Sequence, residues 1–297
     1  MGANSGSGRR AVPFSATPAI AGATLYVGSY DGKFYALDAR TGRPAVEVRD
    51  RRASGGSRRR VCTACSRRTR RSPIRSTSSC RARSWEADRC YFGSGDGNVY
   101  ALDATSGDLR WKFRTGDVVH ASPAYADGVV FFGSWDSYFY AVDAKTGAEK
   151  WRFHGGEDPL MHNQVGFQSS PAVVNGVVYI GCRDSNLYAI DAATGSEKWR
   201  FNDSGSWVIS SPAVAQGKVI FGTSDSSALL SSLDAETGKQ IVRQQGSAYM
   251  FSSPSVAGNI VYHRHPQRHA GGSRSRQRSA GVGVSDGRFT RGMQAGS

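Results

Sequence analysis

Residues Val165 to Asn202 read VGFQSSPAVVNGVVYIGCRDSNLYAIDAATGSEKWRFN, and this stretch decides the fold. Ser170-Pro171-Ala172-Val173-Val174 opens a first strand. Asn175-Gly176 is a tight hairpin turn, because Asn and Gly both accept positive φ. Val177 to Gly181 is a β-branched and aromatic second strand. Arg183 to Asn186 turns the chain into a third strand, Leu187 to Ile190. Asp191 to Gly195 turns it again into Glu197-Lys198-Trp199-Arg200-Phe201, where apolar and polar residues alternate strictly. One such four-stranded sheet buries too little surface to stand alone. Repetition around an axis buries its faces against neighbours.

The unit recurs. A first repeat spans Phe14 to Gly42 and stops before any fourth-strand Trp. A second is legible from Tyr91 to Gly116, a third from Val118 to Gly156, and a fifth from Trp207 to Gly246. A sixth starts at Phe251 and loses its pattern after Tyr262. The Ser-Pro steps at Ser122, Ser170, Ser211 and Ser253 are 48, 41 and 42 residues apart, a blade-sized period. The predicted fold is therefore an all-β propeller of four-stranded antiparallel blades. It has about six recognisable repeats over 14–262, of which two or three look incomplete. In the fifth repeat Asp225 and Asp234 stand 9 apart where the other repeats have 7, which predicts a longer turn or a bulge. Val242 stands there in place of the Trp.

The formal net charge of +14 would suggest nucleic acid or an acidic surface. Its distribution argues otherwise. Residues 43–90 carry 15 Arg against 4 acids, and residues 263–297 carry 7 Arg against 1, so the repeating body is left at −3. Nucleic acid is not an expected partner. The two basic segments have two readings. One is out-of-frame translation of GC-rich coding sequence; the other is a genuine basic insertion that orders on an anionic partner. Residues 1–13 are small, polar and basic, without the apolar run of a secretory leader, and are expected to be disordered. No apolar run has the length of a membrane span.

Cys62, Cys65, Cys80 and Cys90 have spacings that a Cys₄ zinc site could use. They lie within the irregular segment, and no metal site is expected. Cys182 replaces the Ser or Thr of the other repeats and reads as an inert small residue.

The stretches Ala101-Leu102-Asp103…Ser106-Gly107…Trp111, Ala141-Val142-Asp143…Thr146-Gly147…Trp151 and Ala189-Ile190-Asp191…Thr194-Gly195…Trp199 resemble the tryptophan-docking motif of the pyrroloquinoline-quinone (PQQ) repeat. That repeat is the blade unit of quinoprotein-like β-propellers, a family that includes outer-membrane-assembly-lipoprotein-like members. The resemblance implies structural roles for these residues. Asp accepts hydrogen bonds from turn N–H groups, Thr-Gly supplies positive φ, and Trp packs between blades. Trp111, Trp151 and Trp199 are expected in the core, each worth on the order of 2–3 kcal/mol of burial.

Strand order gives the functional face. With the first strand running down, the hairpin between strands two and three and the loop joining one blade to the next share an upper face. The lower turns are monotonous. The upper ones vary: Tyr30, Gly95, Trp135, Arg183 and Ser224 occupy equivalent places, and the loop 155–164 is long. Variation over a uniform scaffold is where binding resides. The candidate ligand-binding residues are Trp135, Arg183, His162, His120 and Trp207. The expected function is a non-catalytic binding scaffold, a monomer offering its upper face to a protein or small-molecule ligand, with no cofactor. The alternative is a PQQ-dependent alcohol or sugar dehydrogenase with Ca²⁺. The resemblance would then imply a vicinal disulfide over the cofactor and a separate carboxylate–amide calcium site, neither of which is visible. Resemblance alone suggests an extracytoplasmic location.

Overall fold

The computed structural model describes residues 19–21, 23–28, 34–47, 85–86, 89–104, 106–156, 166–202, 207–224, 229–245, 252–258, 260–264, 279–285 and 288–291. Blade 1 consists of β1 (Ala19–Ala21), β2 (Thr24–Gly28), β3 (Phe34–Asp38) and β4 (Pro44–Glu47). Blade 2 consists of β5 (Trp85–Glu86), β6 (Arg89–Gly93), β7 (Asn98–Asp103) and β8 (Leu109–Arg114). Blade 3 runs through β9 (Ala124–Ala126), β10 (Val129–Gly133), β11 (Tyr138–Asp143) and β12 (Glu149–His154). Blade 4 runs through β13 (Ala172–Val174), β14 (Val177–Gly181), β15 (Asn186–Asp191) and β16 (Glu197–Asn202). Blade 5 is β17 (Ala213–Ala215), β18 (Lys218–Gly222), β19 (Leu229–Asp234) and β20 (Gln240–Gln245). Blade 6 is β21 (Ser255–Ala257), β22 (Ile260–Arg264), β23 (Ser279–Ser285) and β24 (Arg288–Arg291). Each sheet is open, and its strands pair in chain order with antiparallel neighbours. The chain is thus an all-β propeller, as its repeat predicts. The first strands of blades 3 to 6 lie side by side.

The repeats that look incomplete in sequence form whole sheets. Blade 1 gains β4 without a Trp, and blade 6 gains β23 and β24 beyond the last legible motif. Strand pairing uses backbone N–H and C=O groups. It tolerates a sequence such as Ser-Ala-Gly-Val-Gly-Val-Ser, which lacks any docking motif. In blade 5 the longer spacing falls between the second and third strands and not within either. β18 ends at Gly222, β19 starts at Leu229, and the two then pair without a register shift. A bulge does occur between third and fourth strands, but in five of the six blades and at the same place, as at Ala141/Val142 and Ala189/Ile190. The lower hairpin turns follow the expected geometry, with Asn175 at φ 51° and Gly176 at φ 73°.

The core lies between blades, because each sheet turns alternate residues to opposite neighbours. Tyr91, Val99, Ala101 and Trp111 of blade 2 meet Val130, Phe132, Tyr140 and Val142 of blade 3. Phe131, Phe139 and Ala141 on its other face meet Val178, Ile180, Tyr188 and Ile190 of blade 4. Tyr179, Leu187 and Ala189 then meet Val219, Phe221 and Leu233 of blade 5.

The docking motif closes these layers. The Trp111 indole N–H donates to the Ala144 carbonyl at 2.9 Å, Trp151 to Ala192 at 3.1 Å and Trp199 to Ala235 at 3.2 Å. Each ring lies on the turn glycine of the following blade. A Cβ at Gly147, Gly195 or Gly238 would stand 2.7–2.8 Å from the indole. Trp111 is buried, as expected. Trp151 and Trp199, at the same position of their own fourth strands, are only half-buried.

The turn carboxylates hold the docking surface in shape. Asp191 Oδ1 accepts from the Ala193 and Thr194 amides at 3.0 and 2.9 Å and from the Thr194 hydroxyl at 3.0 Å. Asp143 and Asp234 repeat the pattern. Hydrogen bonds from the backbone amide and hydroxyl of Thr194 hold the Asp191 carboxyl below its ordinary value. A lowered carboxyl favours the fold while ionised. That contribution is complete above the ordinary carboxylate pKa and disappears as pH falls through the lowered one. Asp191→Asn should therefore unfold at lower urea than the parent at pH 7, and the gap should shrink as pH falls below the ordinary carboxylate range. Parallel urea titrations at pH 7 and pH 2.5 measure this, and a gap that stays constant with pH would refute it.

Candidate functional site

Connecting loops stitch the upper face together in one repeated way. The Val118 carbonyl accepts from the Trp135 amide of the following blade at 3.0 Å, while the Val119 amide donates to Ser94 O of the preceding blade at 3.1 Å. Gly166 and Phe167 do the same between Arg183 and Ser134, and Trp207 and Val208 between Ser224 and Cys182. The second stitching residue is always apolar and buried: Val119, Phe167 and Val208 are each 0% exposed. A second seam runs through the Ser-Pro steps. The Ser122 amide donates to Ser170 Oγ, the Ser170 amide to Ser211 Oγ and the Ser211 amide to Ser253 Oγ, each at 3.0 Å.

The upper hairpins are braced by a repeated carboxylate–tyrosine pair. Asp136 Oδ1 accepts from the Tyr138 amide at 3.0 Å. Its Oδ2 accepts from the Tyr140 hydroxyl and from the Gly116 amide of the preceding blade, both at 2.7 Å. Asp184 holds the Asn186 amide, the Tyr188 hydroxyl and the Gly156 amide in the same manner. Burial first, then the adjacent carboxylate, pushes both tyrosine hydroxyls well above their ordinary value, so both stay protonated donors.

On this braced surface four of the five candidate residues come together, from the upper hairpins of two consecutive blades and the connectors that flank them. Arg183 is buried at 6% exposure. Its guanidinium carbon lies 5.1 Å from the Trp135 ring centroid and 4.2 Å from the Trp207 centroid. Such cation–π contacts are worth about 0.5–2 kcal/mol each, more as they are desolvated. The His120 ring lies 4.8 Å from Trp135, tilted by 54°. Burial, with Arg183 adding to it and Asp117 opposing, holds His120 below the ordinary histidine value. The imidazole is therefore neutral beside the fixed guanidinium charge at pH 7. The Trp135 indole N–H is buried and has no hydrogen-bond partner among the described residues. Gly166 passes so close to Trp135 that a Cβ there would stand 2.6 Å from its Cα, so the loop takes φ +130° and a glycine. His162 lies outside the described residues.

The sequence reading missed Asp117, Gly166 and the Asp–Tyr braces. The signal for the braces was available. Asp96, Asp136 and Asp184 are each followed four residues later by Tyr100, Tyr140 and Tyr188. The Cys182 thiol is buried and donates to Gly166 O at 3.5 Å, within the stitch where Ser134 Oγ donates to Asp117 O. Burial pushes this thiol well up, as befits a structural cysteine. Among the described residues no group of three or more His, Cys, Asp or Glu side chains is arranged to hold a metal ion. No helix there is long and apolar enough to cross a membrane.

Comparison with solved structures places this arrangement among known folds. The crystal structure of BamB from Moraxella catarrhalis superposes with a TM-score of 0.60 at 19% identity, over 82% of this chain and 79% of that one. The computationally designed Ika8 protein gives 0.63 at 16% identity, over 84% and 67%. Quinohemoprotein alcohol dehydrogenase from Comamonas testosteroni gives 0.51 at 19% identity, over 66% of this chain but 38% of the enzyme. At these identities the likeness is one of fold. No curated protein sequence matches the chain. The family described as outer membrane protein assembly factor BamB matches residues 57–202 and 183–288, most of the chain. With its docked tryptophans and stitched blades, this chain belongs to that family of PQQ-repeat β-propellers.

Proposed function

We propose that the chain is a non-catalytic binding scaffold of the cell envelope, which receives a protein partner on its upper face at Trp135, Arg183, Trp207 and His120. The observation that carries this reading is the clamping of one buried guanidinium between two indoles, at positions where an otherwise uniform repeat varies. Rigid aromatic and Arg groups lose little entropy on binding and dominate interface energetics. The guanidinium charge held between the two rings favours a partner that carries negative charge, and the buried Trp135 N–H would be relieved by a partner's acceptor. The family description, an assembly factor, supports the same reading. The competing reading is a PQQ-dependent dehydrogenase, which the fold alone also accommodates.

A photo-crosslinking amino acid at Ile209, beside Trp207, should give a discrete protein adduct in envelope fractions. The same group at Lys218, on the lower side, should not. Arg183→Ala should reduce the Ile209 adduct about tenfold or more, the range expected of an interface hot spot. The purified protein titrated with PQQ and Ca²⁺ is the counter-test. A stoichiometric quinone absorbance with alcohol or sugar oxidation would overturn the scaffold reading, as would an adduct indifferent to Arg183→Ala.

A further inference from the structure

We propose that the outer rim of blades 2 and 3 is a docking surface for anionic lipid headgroups, so that the propeller lies on its side against a membrane. The fourth strands stand at the far edge of their sheets from the first strands, and the first strands of blades 3 to 6 lie side by side. β8, β12, β16 and β20 therefore form the rim. In β8 alternate residues take opposite sides. Trp111 is buried and Phe113 half-buried, while Arg110, Lys112 and Arg114 are exposed. β12 repeats this plan with Lys150 and Arg152 exposed. Across the four rim strands stand eight Lys and Arg, all exposed, and two Glu. The repeating body, residues 1–42 and 91–262, carries −3 in all. These strands carry +6 of it, so everything else in the body carries −9, the acids of the repeat sitting in its turns.

Pairing within the fold does not account for this bias. Charge on an edge strand keeps sheets from pairing edge to edge, but either sign does that. Glu149 and Glu197 each reach an arginine of their own strand, Arg152 at 3.6 Å and Arg200 at 2.9 Å, and Arg110 pairs with Asp103. Among the described residues no acid pairs with Lys112 or Arg114. The irregular segments do not supply the missing negative charge, since residues 43–90 carry 15 Arg against 4 acids and residues 263–297 carry 7 against 1. Leu109, at the head of β8, is 41% exposed. An apolar side chain set among cations suits the boundary between headgroups and acyl chains better than it suits a nucleic acid backbone. Each Lys or Arg near an anionic leaflet strengthens binding about fivefold. With the surplus of positive charge on the rim and of negative charge elsewhere, an anionic surface meets the rim first. The upper face then looks along the membrane, and the docking holds whatever that face receives.

Co-sedimentation of the full chain with lipid vesicles tests the surface. It should bind vesicles of about 30 mol% phosphatidylglycerol in phosphatidylcholine but not phosphatidylcholine alone, and about 1 M salt should release it. Lys112→Glu combined with Arg114→Glu should weaken that binding about tenfold or more. Arg40→Glu combined with Lys145→Glu makes the same change in net charge at exposed turns on the lower side and should bind like the parent. A photo-crosslinking amino acid at Lys112 should label lipid and the same group at Lys145 should not, a readout that decides the matter even if the rim variant folds poorly. The proposal is overturned by a parent indifferent to anionic vesicles, by a rim variant that binds them like the parent, by equal losses in the two double variants, or by lipid labelling no stronger from Lys112 than from Lys145. Equal losses would assign the binding to net charge and the basic segments. A rim variant that keeps its vesicle binding and loses affinity for a DNA duplex would assign the rim to nucleic acid.

Discussion

Trp111→Ala should lower stability by about 3–5 kcal/mol, the range for removing a buried aromatic from a packed interior. The side chain is 8% exposed, lies tilted against Tyr91 with ring centroids 5.7 Å apart, and donates to Ala144 O. Its removal empties the space over Gly147 and takes one donor from a carbonyl that blade 2 reaches with several groups. Trp111→Phe refills much of the volume but loses the hydrogen bond, which costs about 1 kcal/mol net. Trp151→Ala should cost less than Trp111→Ala, because Trp151 is only half-buried. Urea unfolding followed by circular dichroism measures all three. Equal losses for Trp111→Ala and Trp151→Ala would mean that burial is not what sets the docking energy.

Gly133→Ala should be nearly as damaging, at about 3 kcal/mol, the upper end of overpacking. A Cβ at Gly133 would stand 2.2 Å from the Phe167 Cβ and 3.2 Å from the Phe167 carbonyl oxygen. Phe167 cannot retreat. Its amide is bonded to Ser134 O, and its ring is buried against Phe139 and Tyr188. Gly181 faces the Val208 carbonyl oxygen at 2.3 Å in the same way. The control is Gly128→Ala, where the backbone takes φ +76° but no atom lies within 4 Å. There only conformational strain of about 1 kcal/mol applies. Thermal melts of the two variants should therefore separate clearly. Coincident melting curves would show that the upper seam yields to a methyl group.

Much of the fold was legible because the docking motif is local. Asp, Thr-Gly and Trp act within a turn and one strand, so their spacing alone names the unit and its period. The same locality leaves strands without the motif illegible in sequence. β4 and β23 carry no such motif, and they pair through backbone groups that a motif search does not see. The burial of the docking tryptophans was also not fully legible. Trp111, Trp151 and Trp199 look identical in sequence and differ in exposure, because neighbouring blades cover them differently.

The upper-face residues were found by asking where the repeat varies, but variation says nothing of distance. Arg183 and Trp207 are 24 positions apart, and Arg183 and His120 are 63 apart. They meet because the loops at Val118, Gly166 and Trp207 each bridge two hairpins with the same pair of backbone hydrogen bonds, which sets neighbouring blades in fixed register.

By itself, then, the sequence of this protein determined the four-stranded unit, its repetition, the turns and the face on which the chain varies, since all of these follow from periodicity and turn chemistry within some forty residues. Only the tertiary structure decided that Arg183 is held between Trp135 and Trp207 beside His120. That depends on which blade lies against which, and it is set by inter-blade packing and hydrogen bonds between residues far apart in the chain.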